Sequence, residues 1–406
     1  MPRGGRGWIA IVALAVAAAT ARAQVADVGR SLTLPERPSP HSFWISDIVL
    51  HRTALFDADT GDLRGTISSG TAGVGFVIFP LMVPDRHEIY LPETYFERGV
   101  RGTRTDVVTI YDARTLAPVQ EIGIPAKRAE YFPGNAANAL SDDGRFLAVF
   151  NLTPVSSLSI VDVVARRFTS EVPTPGCSLV FAAGPRRFFM LCANGAALTV
   201  ELDEGGQPVS ISRGQPFFDP QKDPLTEKAV RRDSTWLFTS FEGNVQPIEV
   251  SGAALAIGER WSLFDDADRQ ASWRIGGAQH LAVHAASGRL YVLVHQGGPD
   301  THKQAGTEVW VYDLATRRRV QRIETLNPLV SFVATEGGLG RLSRWALGLS
   351  LPHTGVDDIL VTQDEHPLLI AAGAMPPTVT VHDAMTGAVQ REVSEVGLGI
   401  SLLFAP

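Results

Sequence analysis

The sequence predicts an all-β protein, a seven-bladed β-propeller whose blades are four-stranded antiparallel sheets. Three observations predict this fold: an aspartate-containing phrase recurs along the 406 residues, a second phrase precedes most of its copies, and the combined unit repeats about every 40 to 70 residues. Such a unit cannot bury both faces of its strands alone. Several sheets arranged around a central axis bury one another's faces, which is the principle of a propeller.

The first phrase is a short apolar strand, an aspartate that opens a turn, and a second apolar strand. Aspartate suits the turn because its carboxylate accepts hydrogen bonds from the backbone amides that follow it. The strongest copies are LFDADTGDLRGTI (55–67), IYDARTLAPVQEI (110–122), IVDVVARRFTSEV (160–172), VYDLATRRRVQRI (311–323) and VHDAMTGAVQREV (381–393). Two weaker copies, TVELDEGGQPVSI (199–211) and PIEVSGAALAIGERW (247–261), bring the predicted blades to seven.

The second phrase is a polar turn followed by another apolar strand. Because it precedes the first phrase in the repeating unit, we expect the first phrase to form the outer portion of each blade. Its copies are VPDRHEIYLPET, LSDDGRFLAVFN, AAGPRRFFMLCANG, RRDSTWLFTSFEG, HAASGRLYVLVH and TQDEHPLLIAAG, with HSFWISDIVLHR in its place in the first unit. A β-sandwich and a solenoid are the alternatives to the propeller.

Composition restricts the class of protein. Apolar residues make up 45% and charged residues 19%, with 38 glycines and 26 prolines, as expected for a globular, turn-rich chain. The length allows two domains or one large all-β domain. A formal net charge of −7 without a long Lys/Arg run argues against a nucleic-acid partner, because phosphate binding requires a concentrated basic surface.

The N-terminus predicts export. Arg3 and Arg6 precede the apolar run WIAIVALAVAAAT, and Ala21 and Ala23 are small residues at the two positions that a signal peptidase reads. We therefore expect a signal peptide over 1–23, cleaved after Ala23. A membrane anchor is the alternative, although the run is shorter than the roughly 20 residues that cross a bilayer.

The predicted propeller domain occupies residues 24–406. One segment departs from the repeat: 324–358 stretches the spacing between the last two aspartate phrases and is apolar without containing either phrase. We interpret this segment as an insertion or a distorted part of a blade.

Cys177 and Cys192 are the only cysteines of the sequence. They flank AAGPRRFFML, which is typical of a turn entering a strand, so the two thiols could face each other across a hairpin. A disulfide that closes a loop of about 15 residues stabilises a fold by roughly 3 kcal/mol in the chain-entropy model, and export favours its formation. Two buried thiols are the alternative.

The sequence contains little that could be catalytic by itself. It lacks the nucleophile motif GxSxG, the dinucleotide-binding motif GxGxxG, a Walker loop and the zinc motif HExxH. His280 and His284 are four residues apart, but their surroundings predict a strand, on which the two residues would be about 13 Å apart. A core or interface role is therefore favoured over metal binding.

The stretch GGAQHLAVHAASGRLYVLVHQGGPDTHKQAGTEVWVYDLATRRR (276–319) resembles the heavy, or large, subunit of the quinoprotein amine dehydrogenases, the family of methylamine dehydrogenase and aromatic amine dehydrogenase. The shared order is a glycine pair with Gln, an apolar strand with His, an Arg-apolar-Tyr sequence, a long loop with His-Lys, and a strand that ends in Asp. RGTRTDVVTIYDARTLAP (101–118), the cysteine pair and TQDEHPLL (362–369) fit the same family, so the resemblance spans nearly the whole mature chain.

The resemblance implies a function. Heavy subunits of this family are seven-bladed propellers that pair with a small, disulfide-rich light subunit in a two-plus-two periplasmic heterotetramer. The light subunit carries tryptophan tryptophylquinone and the catalytic base. The assembly oxidatively deaminates a primary amine to an aldehyde and ammonia and passes the electrons to a blue copper protein, amicyanin-like or azurin-like. This chain is then expected to bind no covalent cofactor or metal and to supply scaffold, substrate-channel wall and docking surface.

One site residue is carried over from the family, whose heavy subunits present a phenylalanine to the substrate channel in the loop after the first aspartate phrase. In SSGTAGVGFVIFPLMVPD (68–85), Phe76 follows a glycine and is the predicted channel residue, with Phe79 as the competing candidate. Both could instead be core residues, because the run around them is apolar. An aromatic wall would exclude water and select amines by volume.

Two further functions stay open. An exported propeller with aspartate-turn repeats can be a non-catalytic binding or interaction module, and a propeller hydrolase such as a lactonase is the third possibility. A hydrolase requires acids and histidines that converge at the mouth of the central channel, and the sequence does not identify such a set.

Overall fold

Seven antiparallel sheets follow one another along the chain, and each forms one blade of a ring. The computed structural model describes residues 33–47, 49–68, 80–129, 135–325, 355–374, 377–398 and 401–405. Leu34–Pro406 forms one compact unit. The innermost strands of several neighbouring blades contact each other, as expected for strands that surround the axis of a ring. The predicted seven-bladed β-propeller of four-stranded antiparallel blades is confirmed.

The strands are numbered in chain order. Blade 1 contains β1 (Ser42–Asp47), β2 (Arg52–Asp57) and β3 (Leu63–Ser68); blade 2 contains β4 (Leu81–Val83), β5 (Glu88–Phe96), β6 (Arg104–Asp112) and β7 (Pro118–Ile124). Blade 3 contains β8 (Asn138–Leu140), β9 (Phe146–Asn151), β10 (Ser157–Asp162) and β11 (Arg167–Pro173); blade 4 contains β12 (Cys177–Gly184), β13 (Arg187–Cys192), β14 (Ala197–Leu202) and β15 (Pro208–Arg213).

Blade 5 contains β16 (Val230–Arg232), β17 (Thr235–Thr239), β18 (Asn244–Glu249), β19 (Ala256–Ile257) and β20 (Trp261–Ser262). Blade 6 contains β21 (Trp273–Ile275), β22 (Leu281–His284), β23 (Arg289–Gln296), β24 (Glu308–Asp313) and β25 (Arg318–Glu324). Blade 7 contains β26 (Asp358–Val361), β27 (Leu368–Ala374), β28 (Pro377–Asp383) and β29 (Val389–Val393), and β30 (Ser401–Phe404) completes blade 1. A short helix, α1 (Asp266–Gln270), precedes β21, and 3-10 turns occupy Pro84–Arg86 and Asn135–Ala137.

Blade 1 is assembled from two distant parts of the chain. β30 pairs antiparallel with β1, with Trp44 opposite Phe404 and Asp47 opposite Ser401, and β2 and β3 complete the sheet. The ring is therefore closed by backbone pairing between segments more than 350 residues apart. The sequence repeat did not predict this closing strand.

Each predicted aspartate phrase forms the hairpin of the third and fourth strands at the outer edge of its blade. The Asp57 carboxylate accepts hydrogen bonds from the amides of Asp59 at 2.9 Å and Thr60 at 3.2 Å. The residue four positions after the aspartate has a positive φ, from 56° to 80°, in all five strong copies: Gly61, Leu116, Arg166, Arg317 and Gly387. Glycine adopts this conformation freely, whereas a side chain adopts it with strain.

The hydrophobic core lies between the blades. Every residue of β9 and β10 is buried, whereas the outer strands β7 and β25 are exposed at most positions. Trp44 of blade 1 packs with Ile89 and Leu91 of blade 2, and comparable apolar clusters fill the other interfaces between blades. Both faces of each inner strand are thus covered by neighbouring sheets, which is why those strands are rich in apolar residues.

Blades 5 and 6 depart from the regular pattern. The outer strand of blade 5 is split into β19 and β20, which both pair with β18. The inner strand of blade 6 is split into β21 and β22, which both pair with β23. The split in blade 5 coincides with the phrase at 247–261, one of the two weaker matches to the repeat.

Cys177 and Cys192 form a disulfide between the directly opposed residues of β12 and β13, with their Cα atoms 3.9 Å apart. The predicted disulfide is thus present. The predicted signal peptide, 1–23, lies outside the described residues, as do positions 326–354 of the segment interpreted as an insertion. Across the described ranges, no helix has the length and apolar character that a membrane crossing requires.

Candidate functional site

The connections between strands divide over the two faces of the ring. The strands of each blade are counted here from the innermost one, which in blade 1 is β30. Turns that join the first to the second strand and the third to the fourth strand of a blade lie on one face, here called the turn face. Connections that join the second to the third strand, and one blade to the next, lie on the opposite face, called the loop face. Antiparallel pairing requires this division, because successive strands run in opposite directions.

The predicted channel residues Phe76 and Phe79 lie outside the described residues. Both belong to 69–79, which joins β3 of blade 1 to β4 of blade 2. Their assignment as channel residue and competing candidate therefore stays a prediction. The structure does describe the crevice between blades 1 and 2 along which β3 runs.

A cavity of about 500 Å³ occupies this crevice. Blade 1 contributes the end of β3, and blade 2 contributes two tyrosines and the turn before β7. Gly65 of β3 allows the two blades to approach closely, because a Cβ atom there would meet the side chain of Leu116 at 2.5 Å. The cavity is lined by Thr66, Ile67, Ser68, Tyr95, Tyr111, Leu116 and Pro118.

Alternation along β5 brings a carboxylate to this crevice. Glu93 and Tyr95 follow Leu91 on the side of the strand that faces blade 1. Glu93 is fully buried, and its carboxylate accepts hydrogen bonds from the hydroxyls of Thr109 and, at 3.3 Å, Tyr111. The apolar part of the interface therefore ends in a polar group beside the cavity.

Electrostatics distinguish this cavity from the surrounding interface. Burial, followed by the negative charge of Glu93, raises the pKa of Tyr95 and of Tyr111, and Glu121 on β7 adds to the effect. Both phenols stay protonated at neutral pH and can donate hydrogen bonds. The cavity thus combines aromatic rings, hydroxyls and nearby negative charge, and none of its seven described lining residues is cationic.

The two histidines that the sequence singled out are both buried, but they bond to different partners. His280 Nε2 lies 3.1 Å from Thr226 Oγ1 and 2.7 Å from Thr239 Oγ1. Burial, with the charges of Lys228 and His302 adding to it, lowers the pKa of His280 to about 3, so this ring is neutral at physiological pH. His284 bonds instead to Ser287 and to the carbonyl of Asp364. In the described part of the chain, no group of three His, Cys, Asp or Glu side chains is arranged to hold a metal ion.

One part of the loop face carries six exposed large apolar side chains. They lie in the connections within blades 1 to 3 and in the link from blade 7 to blade 1: Val49, Leu50, Val100, Leu152, Val155 and Leu398. The described loop-face connections of blades 4 to 6 contain none of the exposed large apolar residues. We call these six residues the apolar arc. Large exposed apolar surfaces on soluble proteins mark interaction sites.

The turn face carries a larger cavity, of about 640 Å³, between blades 4 and 5. Its arginines are engaged in structure. Arg187 donates hydrogen bonds to the carbonyls of Ala183, Ala253 and Val250, and so joins the two blades. Arg231 forms a bidentate ion pair with Asp142 of blade 3 at 2.6 and 2.9 Å. This cavity is best explained as a seam between blades.

Sequence reasoning did not identify Glu93, Tyr95 or Tyr111. A signal was available, because IYLPETY (89–95) places a glutamate inside an otherwise apolar strand, where an ionisable group is costly unless it has partners. Those partners, the hydroxyls of Thr109 and Tyr111, come from β6, and the repeat pattern alone does not show that they lie beside Glu93.

A comparison with family models finds that residues 51–335 match the methylamine dehydrogenase heavy chain family. The chain is 27% identical to the methylamine dehydrogenase heavy chain of Paracoccus versutus over 351 residues, which cover 86% of this chain and 74% of that protein. It is 25% identical to the heavy chain of Methylorubrum extorquens, over 85% of this chain and 77% of that protein.

Solved structures support the fold alone, because their sequences are distant. A dihydro-heme d1 dehydrogenase, NirN, superimposes with a TM-score of 0.54 at 16% identity, over 92% of this chain and 77% of that one. A protein of unknown function from Desulfotomaculum acetoxidans superimposes with a TM-score of 0.56 at 12% identity, over 90% of this chain and 99% of that one.

Proposed function

The chain belongs to the methylamine dehydrogenase heavy chain family, and from that premise we propose that it is the non-cofactor-bearing subunit of an enzyme that oxidatively deaminates primary amines to aldehyde and ammonia. The observation that carries the proposal is the family match over 51–335, which includes β2 and β3 of blade 1 and all of blades 2 to 6. The propeller supplies the scaffold of the enzyme.

The partner in this proposal is a small, disulfide-rich light subunit in a two-plus-two heterotetramer. The apolar arc supports a partner on the loop face, because six exposed apolar side chains on neighbouring connections gain free energy when another surface covers them.

The cofactor of the proposed enzyme, tryptophan tryptophylquinone, belongs to the light subunit and would accept the electrons of the amine there. The described residues fit this division of labour: the polar groups of the blade 1–2 crevice bond to one another, and their chemistry is that of a wall rather than of a cofactor cage. This chain would orient the amine, exclude water and bind the partner.

Phe76 is proposed as the aromatic wall of the substrate channel, with Phe79 as the competing candidate. The argument is the family position and the chemistry of the side chain, which discriminates amines by volume. Electrons would leave to a blue copper protein, amicyanin-like or azurin-like. The N-terminal features described above support a periplasmic location, reached after cleavage behind Ala23.

Coexpression tests the proposal. The chain is coexpressed with a small, cysteine-rich exported protein encoded beside it, purified from the periplasm, and mixed with primary amines while the quinone absorbance is recorded. We expect copurification and bleaching of the quinone by amines. If the chain purifies without the small protein, or if no amine changes the quinone absorbance of the complex, a non-catalytic binding module is supported instead.

A surface variant locates the interface. Val100→Glu places a charge in the apolar arc at a side chain that is 68% exposed, and should reduce copurification strongly. Val320→Glu makes the same change at a side chain that is 53% exposed on the outer strand of blade 6, and should leave copurification unchanged. Equal effects of the two changes would contradict the placement of the partner on the loop face.

A further inference from the structure

We propose that the crevice between blades 1 and 2 is a binding site for primary alkylammonium cations, built by Tyr95, Tyr111 and Glu93 of the propeller itself. The inference concerns a site on this chain, separate from any reacting group that a partner would hold. The crevice combines a cavity of about 500 Å³, two aromatic rings and a carboxylate beside them.

The aromatic walls are held in place. Tyr111 is 6% exposed, and its hydroxyl donates to Glu93, so its ring cannot turn away without breaking a buried hydrogen bond. Tyr95, four strand positions after Leu91, lies at the loop end of the same side of β5. A cation within about 6 Å of such a ring is attracted by its quadrupole.

Charge selects the sign of the ligand. The carboxylate of Glu93 lies beside the cavity, because it accepts a hydrogen bond from the hydroxyl of the lining residue Tyr111 at 3.3 Å. In agreement with this position, the negative charges of Glu93 and Glu121 raise the pKa of both tyrosines. The lining contains no lysine or arginine among its described residues, so an anion would find no positive partner there. An ammonium group, in contrast, finds ring faces, hydroxyl oxygens and a negative potential.

Shape selects the class of cation. Ile67, Leu116 and Pro118 give the cavity an apolar side, on which a hydrocarbon chain can lie while its ammonium group faces the tyrosines. The amine of a primary alkylamine has a pKa near that of lysine, about 10.4, so it is a cation at neutral pH. A neutral alcohol of the same length would match the apolar side only.

The biological role of the site rests on the proposed function: an amine dehydrogenase gains from a site that collects amines as cations near its loop face. The binding itself does not require a partner or electron transfer. It can be measured on the purified chain alone, so its failure and a failure of the proposed enzyme are separate results.

The test is a ligand-observed NMR titration of the purified chain with n-butylammonium chloride, and with n-butanol as the neutral counterpart. We expect butylammonium to bind more tightly than butanol by about fivefold or more. Tyr95→Leu should weaken butylammonium binding by about fivefold, whereas Tyr95→Phe, which keeps the ring, should leave it within about twofold.

Equal binding of butanol and butylammonium, or an unchanged affinity in Tyr95→Leu, would overturn the proposal. If the leucine variant fails to fold, Glu121→Gln provides a second test, because Glu121 is exposed on β7 and its removal does not disturb the core. This variant should weaken butylammonium binding by about twofold and leave butanol binding unchanged. An unchanged preference for the cation would count against the electrostatic argument.

Discussion

His41 connects the first and the last blade, and its replacement by glutamine tests how much this contact contributes to ring closure. The ring Nδ1 lies 2.8 Å from Asp59 Oδ1, and Nε2 lies 3.0 Å from Asp364 Oδ2 of blade 7. Ionised carboxylates only accept hydrogen bonds, so both ring nitrogens donate and the imidazole is positively charged. The contact adds a polar link to the buried apolar cluster shared by blades 1 and 7.

The pKa values indicate the pH range in which the contact acts. Burial alone would lower the pKa of His41, but the hydrogen bonds and charges of Asp59 and Asp364 outweigh it and raise the pKa above the ordinary 6.5. Burial would raise the pKa of Asp364, but bonds from Thr362, His41 and a backbone amide lower it to about 2. The contribution of His41 is therefore complete below about pH 6.5 and is lost as the pH rises through its raised pKa. At acid pH the contact is lost as well, because Asp364 becomes protonated as the pH falls towards about 2.

The magnitude follows from exposure. Asp59 is 56% exposed, so solvent screens its pair with His41 to below about 1 kcal/mol. His41 and Asp364 are 17% and 20% exposed, and a charged hydrogen bond at such a site contributes about 1 to 2 kcal/mol. A total of about 2 kcal/mol over a unit of about 370 residues corresponds to a fall in Tm of about 2 to 3 °C.

Calorimetric melts of the wild type and of His41→Gln at pH 6 and pH 9 provide the assay. The wild type should exceed the variant by the full difference at pH 6 and by much less at pH 9. His366→Gln is the matched control, because it removes an exposed histidine two residues from Asp364 and should leave the Tm unchanged at both pH values. A wild-type advantage that stays constant or grows with pH would refute this account of the contact.

Three further predictions concern other parts of the chain. Replacing both cysteines by serine should cost about 3 kcal/mol in the free energy of unfolding, measured by denaturant titration, and a variant as stable as the wild type would show that the disulfide does not restrict the unfolded chain. Gly61→Ala should lower the free energy of unfolding by about 1 kcal/mol, because φ is 79° there and a side chain adopts that conformation with strain. A steric clash does not contribute, since the nearest atom lies 3.5 Å from the new Cβ atom. Gly123→Ala is the control and should leave the free energy of unfolding unchanged, because it lies on a strand with open space around the new Cβ atom. In the assembled enzyme, Phe76→Ala should raise kcat/KM by about tenfold for an amine that is one methylene longer, relative to the shorter amine. If Phe79→Ala shows this increase and Phe76→Ala does not, Phe79 is the channel residue.

Much of the fold could be predicted because most blades repeat the same sequence pattern, an aspartate turn between two apolar strands. Asp57, Asp112, Asp313 and Asp383 accept bonds from amides within three residues, so the outer hairpins are visible in the sequence as short phrases. The apolar strands beside them are buried on both faces, and they show the predicted runs.

The closing strand and the split strands could not be predicted in the same way. β30 lacks an aspartate turn, because the strand that follows it in space is β1, and no hairpin joins the two. The outer strand of blade 5 is interrupted by Gly258, whose Cβ position lies against Pro247 at 3.0 Å. Such interruptions depend on contacts between strands rather than on the pattern within one strand.

The candidate site was only partly accessible to sequence reasoning. Phe76 came from the family resemblance, and its place in the protein stays a prediction. The crevice residues Tyr95 and Tyr111 lie six positions apart in the register of β5 and β6, and both interact with Glu93 between them. Their cavity exists only because β3 of another blade lies opposite. Contacts between blades of this kind follow from ring geometry, which a repeat count does not supply.

The completion of blade 1 by β30 has a consequence for biogenesis. During synthesis, β1 emerges long before the strand that covers its inner edge, so its free backbone groups form an open template for pairing with a second nascent chain. Closure of the propeller therefore depends on the C-terminal strand β30. A chain that ends before β30 should be prone to aggregation, because the edge of β1 stays unpaired.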